Sequence, residues 1–576
     1  MALFLVGAVA GLLVGAAPPS GAHAELLKTE PASGASLDRA PSEVRLEFGE
    51  SVRIPNGGVR VVNESADRLA TSSPRSTDSG RTQTIALPGL KNGAYVVSWR
   101  AVSADGHPIR GAFTFRVGRG GDQAALARLA EKLLGSGGGP TGPGIALAFA
   151  RFLSFLSMIV LIGGIGYLRF VRRGRPGRRG RTGRSTLHLA DSRTLVLTRI
   201  ATVICALSGI AAVILYGPYV GGYGFAAITD ATVLDDTLAD PVGRALLART
   251  ATLVILGFVL MKLFRTNEPS KDDGRADVWG RALLSGGAVL AVLALVAQVF
   301  TGHGNTGPHK TLGALFTVVH VGSTSLWIGG LTFVVIGTVG ADITAADADT
   351  ALRRFSPLAF AAVTGMVVSG AFASWRQVGS VQAARETTYG QLLLVKLALV
   401  VGLLLLGGMA RRMLRSGTKT PSTGPTTGTD AITSTTVRRR LVVEVAMGVA
   451  VIGVTALLVN VAPAREAVAR PVALRLSTTT LTIDMTIDPA RKGRNSIHMY
   501  ALTKTGAQQA IDHAALSASL PGSGIEPIEL KVLRAGPNHF QVLNADLPVR
   551  GTWTFDVAVG VDQFTEERVT AQVTLR

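Results

Sequence analysis

Cysteine is nearly absent from this chain: Cys205 is alone among 576 residues. One thiol excludes an internal disulfide framework and any thiolate cluster for zinc or iron–sulfur. Charge is scarce as well, at 17% of residues against roughly 25% in an average soluble chain. With 47% hydrophobic residues and a mean hydropathy of +0.36, the chain is too apolar for disorder and for a purely soluble protein of this length. Acids are outnumbered, 38 Asp and Glu against 58 Lys and Arg. The surplus lies mostly in short runs beside apolar segments, where it sets membrane orientation and needs no nucleic-acid partner. A Gly-x-x-x-x-Gly-Lys-Ser/Thr loop and an Asp-Lys-Thr-Gly signature are also missing, which excludes an ATP-driven pump.

The apolar start, Ala2 to Pro19, has no Lys or Arg before it but ends in Ser20-Gly21-Ala22, a small-x-small pattern. Either an uncleaved anchor or an export signal with its true start upstream fits. His23, which cleavage behind Ala22 makes the first residue, favours the second. From Glu25 to Val117 the pattern is that of strands: Val44–Phe48, Gln83–Leu87 and Ala112–Val117 alternate, Tyr95–Trp99 is β-branched and aromatic, and Asn56-Gly57 and Asn92-Gly93 mark turns. This predicts a small β-sandwich or barrel. Strand character returns at Leu474–Ile487, Ser496–Leu502, Ile528–Leu533, Phe540–Leu543 and Trp553–Val557, predicting a second one.

Between them, apolar windows long enough to cross a bilayer (about 20 residues) recur at 145–168, 196–217, 243–263, 281–300, 311–337, 355–375, 389–410 and 441–462. The first loop, Arg169–Arg184, holds eight arginines and no acid, whereas the second holds Asp230, Asp235, Asp236 and Asp240. The seventh is again basic, with Arg411, Arg412, Arg415 and Arg438–Arg440. Odd loops are therefore expected to be cytoplasmic, and both chain ends external.

The expected fold class is a multidomain membrane protein: an exported β-sandwich, an eight-span α-helical transmembrane domain and a C-terminal external β-sandwich. The boundaries are 1–22 for a signal peptide, 23–118 for the first sandwich, 119–144 for a linker, 145–462 for the membrane domain and 468–576 for the second sandwich.

Chemistry concentrates at a few histidines. A terminal His23 offers its α-amine and imidazole Nδ1 together, a chelate suited to copper(II), which heads the divalent affinity order. Asp105-Gly106-His107-Pro108 either adds a carboxylate and a second imidazole or is a surface turn. His303 and His309 flank a Gly/Pro turn at the external surface. His320, eleven residues after His309, is three helical turns on, nearly on the same face and about 16 Å deeper. An ionisable group there is costly and by default functional. The three either pass a copper ion inward, or His320 hydrogen-bonds between helices while the others are solvated. Lys396 in span seven repels copper and is no ligand; it snorkels, pairs with a carbonyl or lines the path. Glu444 is expected to pair with a neighbouring arginine. Met366, Met409, Met447 and Cys205 read as packing residues. His498, Met499, His513 and His539 read as scattered through the last domain.

The segments His23–Leu27, Glu30–Gly34, Leu46–Glu50 and Ser103–Pro108 closely resemble the CopC family of periplasmic copper-binding proteins. The resemblance implies a copper(II) site of His23, Asp105 and His107. No methionine lies between Met1 and Met158, so the copper(I) segment of some relatives is missing. His303-Gly304, His320, Ser325–Leu331, Arg353–Ala359, Thr364-Gly365 and Tyr389–Lys396 resemble the CopD family, linked to copper uptake across the inner membrane. Pro537 and Gly551-Thr552-Trp553 are similar to YtkA-type domains. The expected function is copper binding outside a bacterial cytoplasmic membrane and copper transport, as import, across it. Copper ion and the lipid bilayer are the expected partners, together with a periplasmic copper chaperone or reductase. Copper buffering, resistance or sensing without flux uses the same ligands and stays open. A membrane redox enzyme is disfavoured because a haem needs facing histidines and only His320 is clearly intramembrane.

Overall fold

The computed structural model describes residues 26–31, 35–65, 67–69, 71–103, 106, 108–118, 142–172, 181–265, 273–302, 309–339, 345–378, 381–416, 429–461, 463–464, 472–488, 490–504, 509–522, 525–562 and 564–575. They fall into a helical unit spanning Pro140–Ala464 and a unit holding the strands at both ends of the chain.

The N-terminal strands form two sheets. One joins β1 (Leu26–Glu30), β3 (Glu43–Phe48), β8 (Thr82–Ala86) and β7 (Arg75–Thr77) in the order β1-β3-β8-β7. The other runs β2-β10-β9-β5-β6, built on β9 (Gly93–Ser103) and β10 (Pro108–Val117), with β2 (Ala35–Leu37), β5 (Val59–Asn63) and β6 (Arg68–Leu69); β4 (Val52–Arg53) also pairs with β9. Alternation along β3 buries Val44, Leu46 and Phe48, because successive side chains point to opposite faces. They meet Val97, Trp99 and Phe115 of the facing sheet in one core. Phe48 and Trp99 touch edge to face with ring centroids 5.3 Å apart. Gly111, directly opposite Trp99, is the residue that fits: a Cβ there would lie 2.4 Å from the indole.

Among the described residues, seven helices are long and apolar enough to cross a membrane. They comprise α1 (Gly142–Gly166, extended by a wide turn over Tyr167–Arg172), α2 (Arg181–Gly221), α4 (Pro241–Arg265), α5 (Asp273–Val299), α6 (Lys310–Thr324, continuing through Ser325–Gly329 and Gly330–Val334), α7 (Ala345–Val378) and α9 (Thr388–Ser416). The shorter α3 (Ala231–Ala239) and α8 (Val381–Glu386) lie between spans. The eighth expected window falls on α10 (Thr429–Leu458), whose apolar part among the described residues is the shorter Val442–Leu458.

Helix α1 is the centre of the bundle: 61% of its apolar window is buried, against 11% for α9. Glycine lets it be approached closely. A Cβ at Gly163 would lie 2.4 Å from the backbone of Gly329, and one at Gly329 would lie 2.0 Å from the Ile159 carbonyl. The Ser325–Leu331 segment is thus a backbone contact between α1 and α6, the small-residue packing that membrane helices favour. Helices α2 and α4 repeat the device, Gly209 facing Thr250 and Gly257 facing Thr202. The acids of the second loop also cap helices: Asp230 accepts from the Thr232 amide at 2.9 Å, and Asp240 from the Val242 amide at 2.7 Å, ahead of Pro241 at the first turn of α4.

The C-terminal strands form a second pair of sheets. The five-stranded one runs β11-β12-β13-β17-β16, and the four-stranded one runs β15-β14-β18-β19. Their ranges are β11 (Val472–Ser477), β12 (Leu481–Asp488), β13 (Gly493–Thr503), β14 (His513–Leu520), β15 (Ile525–Leu530), β16 (Leu533–Arg534), β17 (His539–Leu547), β18 (Gly551–Gly560) and β19 (Glu566–Leu575). Ile483, Met485, Ile497 and Met499 of the first sheet pack on Trp553, Phe555 and Val557 of the second. The Trp553 indole N–H donates to the Val549 carbonyl at 2.9 Å.

Candidate functional site

Of the expected copper(II) ligands, His23, Asp105 and His107 lie outside the described residues, as does His303. Their surroundings are described. Strands β9 and β10 pair up to Val102 opposite Pro108, so Ser103 and Pro108 stand at one end of that sheet. Gly106 there has φ +84°, a left-handed conformation open to glycine. Leu26 pairs with Phe48, and after a short turn Val52 pairs with Ser103. Leu26, at the start of β1, therefore lies towards the end of the sandwich that carries Ser103.

In the helical unit a cavity of about 390 Å³ opens between α1, α5, α6, α7, α9 and α10. Its lining runs from Thr301, Gly302 and Gly313 at the ends of α5 and α6, past His320, to Ile328 and Gly448. His309, at the start of α6, is exposed and does not line it. His320 Nδ1 lies 3.1 Å from both the Met366 carbonyl and the Ser369 hydroxyl on α7. A carbonyl only accepts, so Nδ1 carries the proton and donates it. Nε2 then keeps its lone pair, the state in which imidazole binds a metal. Gly370 makes room for the ring: a Cβ there would lie 3.2 Å from Cε1.

The same cavity is lined by Lys396 and Arg376, and by no carboxylate among the described residues. Two cations and a largely hydrocarbon wall repel a bare metal ion, so copper entering here needs neutral or anionic ligands travelling with it or a deprotonated partner. Met366 and Met158 also line the cavity, whereas Met409 is 46% exposed and so lies outside the core. Glu444 is buried, and its Oε1 has no hydrogen-bond partner among the described residues; the side chains of Arg438 and Arg440 lie outside them. Cys205 is fully buried, as a packing residue should be.

Two buried arginines escaped the sequence reading although both lie inside expected spans. Arg249 is 1% exposed; it donates to Ser154 Oγ at 2.8 Å and to Gln298 Oε1, and its guanidinium lies over Phe155. Arg151 donates to Asn460 Oδ1 at 2.6 Å and lies 6.0 Å from the Tyr219 ring centroid. The signal was there: an arginine in an apolar window is expensive and rarely idle. The chemistry was not, because each arginine is held by amides and hydroxyls from distant spans. Gln298, which Arg249 holds, lines the cavity.

The supposedly scattered histidines of the last domain are partly gathered. His498 and His539 meet across β13 and β17 with Nδ1 and Nε2 3.1 Å apart. His513 stands apart on β14, near Asp512 and Glu566.

Comparison with known proteins agrees with the residue-level reading. Residues 26–118 match the CopC domain family, and residues 349–458 match the family described as copper resistance protein D. A CopC-like domain is thus fused to a CopD-like membrane domain, and neither family is one of enzymes. The copper transport protein CutJ of Bacillus subtilis is 25% identical over 562 residues, 95% of this chain and 94% of its own. Copper resistance protein C of Pseudomonas syringae pv. tomato is 37% identical over 116 residues, 19% of this chain and 89% of that protein. The crystal structure of CopC from Methylosinus trichosporium OB3b has 26% identity and a TM-score of 0.15, covering 16% of this chain and 93% of that one. The two family matches end at residue 458 and lend no support to a YtkA-type C-terminal domain.

Proposed function

We propose that this protein binds copper(II) outside the cytoplasmic membrane through His23, Asp105 and His107 and imports copper through the cavity that holds His320. The observation that carries the reading is the fusion itself, a CopC-like domain in one chain with a CopD-like helical domain, with a likeness to a copper transport protein over nearly the whole length. Leu26, Ser103 and Pro108 towards one end of the first sandwich support a site shared by His23, Asp105 and His107. The cavity wall running from Thr301, Gly302 and Gly313 to His320, with Nε2 as the unprotonated nitrogen, supports an inward path.

Helix α10 as an eighth crossing, with both ends external, belongs to the same reading. Asn460, just beyond α10, is bonded to Arg151 near the start of α1, and Gly448 in its middle faces Ile328. A helix that ends beside the start of the first span supports an even number of crossings. The charged cavity wall favours a second reading, buffering outside without flux, in which Lys396 and Arg376 keep copper out of the bundle.

Two measurements on the full chain separate them. Copper(II) titration with electron paramagnetic resonance compares a chain beginning at His23 with one carrying an extra glycine before it; loss of binding in the second identifies the free amine as a ligand. Copper entry into proteoliposomes then tests transport. Entry that requires protein and is abolished in His320→Gln supports import, whereas binding with no entry leaves the buffer.

A further inference from the structure

The C-terminal domain carries two imidazoles that copper binding at the N-terminal domain and passage through the helices leave unused. In the β13–β17 pair, Tyr500 stands directly opposite His539. His498 is two residues before Tyr500 and therefore shares its face. Met499, between them, points the other way into the core. The result is a stack: the Tyr500 and His539 rings lie 4.2 Å apart at 12°, and the His539 and His498 rings 5.3 Å apart at 24°. His498 Nδ1 and His539 Nε2 are 3.1 Å apart, and His498 Nε2 is 3.2 Å from Ser496 Oγ. His539 is 8% exposed, and its Nδ1 has no hydrogen-bond partner among the described residues.

We propose that His498 and His539 form a copper(I) site on the C-terminal domain. Two nitrogens bound to one metal at about 2.0 Å each are separated by roughly 3–4 Å, so an ion can take the place of the proton the rings now share with little movement. The metal follows from the ligand count. Among the described residues no group of three His, Cys, Asp or Glu gathers here. Zinc takes four ligands, and copper(II) also seeks tetragonal nitrogen and oxygen sets. Copper(I), a closed-shell monovalent ion, is content with two neutral imidazoles and needs no carboxylate to balance its charge. The Tyr500 stack covers one side, while the partly exposed His498 leaves the other open to exchange. A site of this kind holds copper in its reduced form and gives it up by ligand exchange. The proposal rests on the copper reading only for the choice of cargo.

The test is a copper(I) titration of the full chain in detergent, without oxygen, in competition with bathocuproine disulfonate. The unaltered chain is compared with His498→Gln and with His539→Phe, the latter keeping the stack on Tyr500. Loss of the same single equivalent in both variants, with copper(II) binding unchanged, is the expected result. X-ray absorption of the copper(I) form of a His23→Ala, His320→Gln chain should show a low-coordinate site with imidazole scattering. Equal copper(I) binding in all three chains, or zinc outcompeting copper(I) at the pair, would overturn the site. Copper(II) binding and entry into proteoliposomes persist in that case, whereas failure of the general copper reading removes those too.

Discussion

Hydrogen bonding to Nδ1 makes His320 a usable ligand, and the prediction that follows is about position as much as identity. Gly370→Ala places a methyl group 3.2 Å from the imidazole Cε1, so the ring must shift by a few tenths of an ångström, straining its contacts with Met366 and Ser369. Copper entry into proteoliposomes should fall on the order of tenfold, as losses in the shell that orients a ligand generally do, while copper(II) binding outside the bundle is retained. A normal rate in this variant removes His320 from the path. At the other end of the chain, burial first and then His498 push the His539 ring down from 6.5 to about 4. The native state therefore binds fewer protons than the unfolded chain between those values. The domain's stability is complete above pH 6.5 and declines as the pH falls towards 4. Carbon-13 titration of the His539 ring in the metal-free protein should give a midpoint well under 6.5; an ordinary midpoint would mean that the ring is solvated.

Among the helices, contact through glycine decides how close two spans come. Gly163→Ala forces a methyl group onto the Gly329 backbone and should cost about 1–3 kcal/mol as overpacking, read as a lower melting temperature in detergent. Gly407→Ala, where nothing lies within 4 Å, is the matched control and should leave melting unchanged. The eighth crossing is testable by labelling. Cys205 is buried, so a cysteine introduced at Ser477 or Phe564 reports without background. Both sites should react with an impermeant maleimide from outside intact spheroplasts. Labelling only after lysis would place the last domain in the cytoplasm and leave seven crossings.

For the molecule as a whole, the distribution of charge and of polar contacts separates what was readable from what was not. Spans, turns and alternating strands were legible because each is a local pattern: a bilayer demands a run of apolar residues, and a pleated strand buries every second one. The edges of the spans shifted where polar caps or wide turns, as at Tyr167–Arg172, extend a helix beyond its apolar run. The nine strands of the C-terminal sheets were only partly visible. The β14 sequence His513–Leu520, rich in Ala and Ser, lacks the β-branched and aromatic residues that announce a strand, yet packs between β15 and β18. Arg151 with Asn460, Arg249 with Ser154, and His498 with His539 join residues 309, 95 and 41 positions apart. The sequence alone therefore determined the membrane class and the strand-rich ends, since those depend on composition and short local patterns, whereas His23, Asp105 and His107 as copper ligands are what the family resemblance implies. Only the tertiary structure decided which polar groups share a cavity and which imidazoles meet, because hydrogen bonds and ligand sets are matters of a few ångströms between segments whose separation along the chain sets no distance in space.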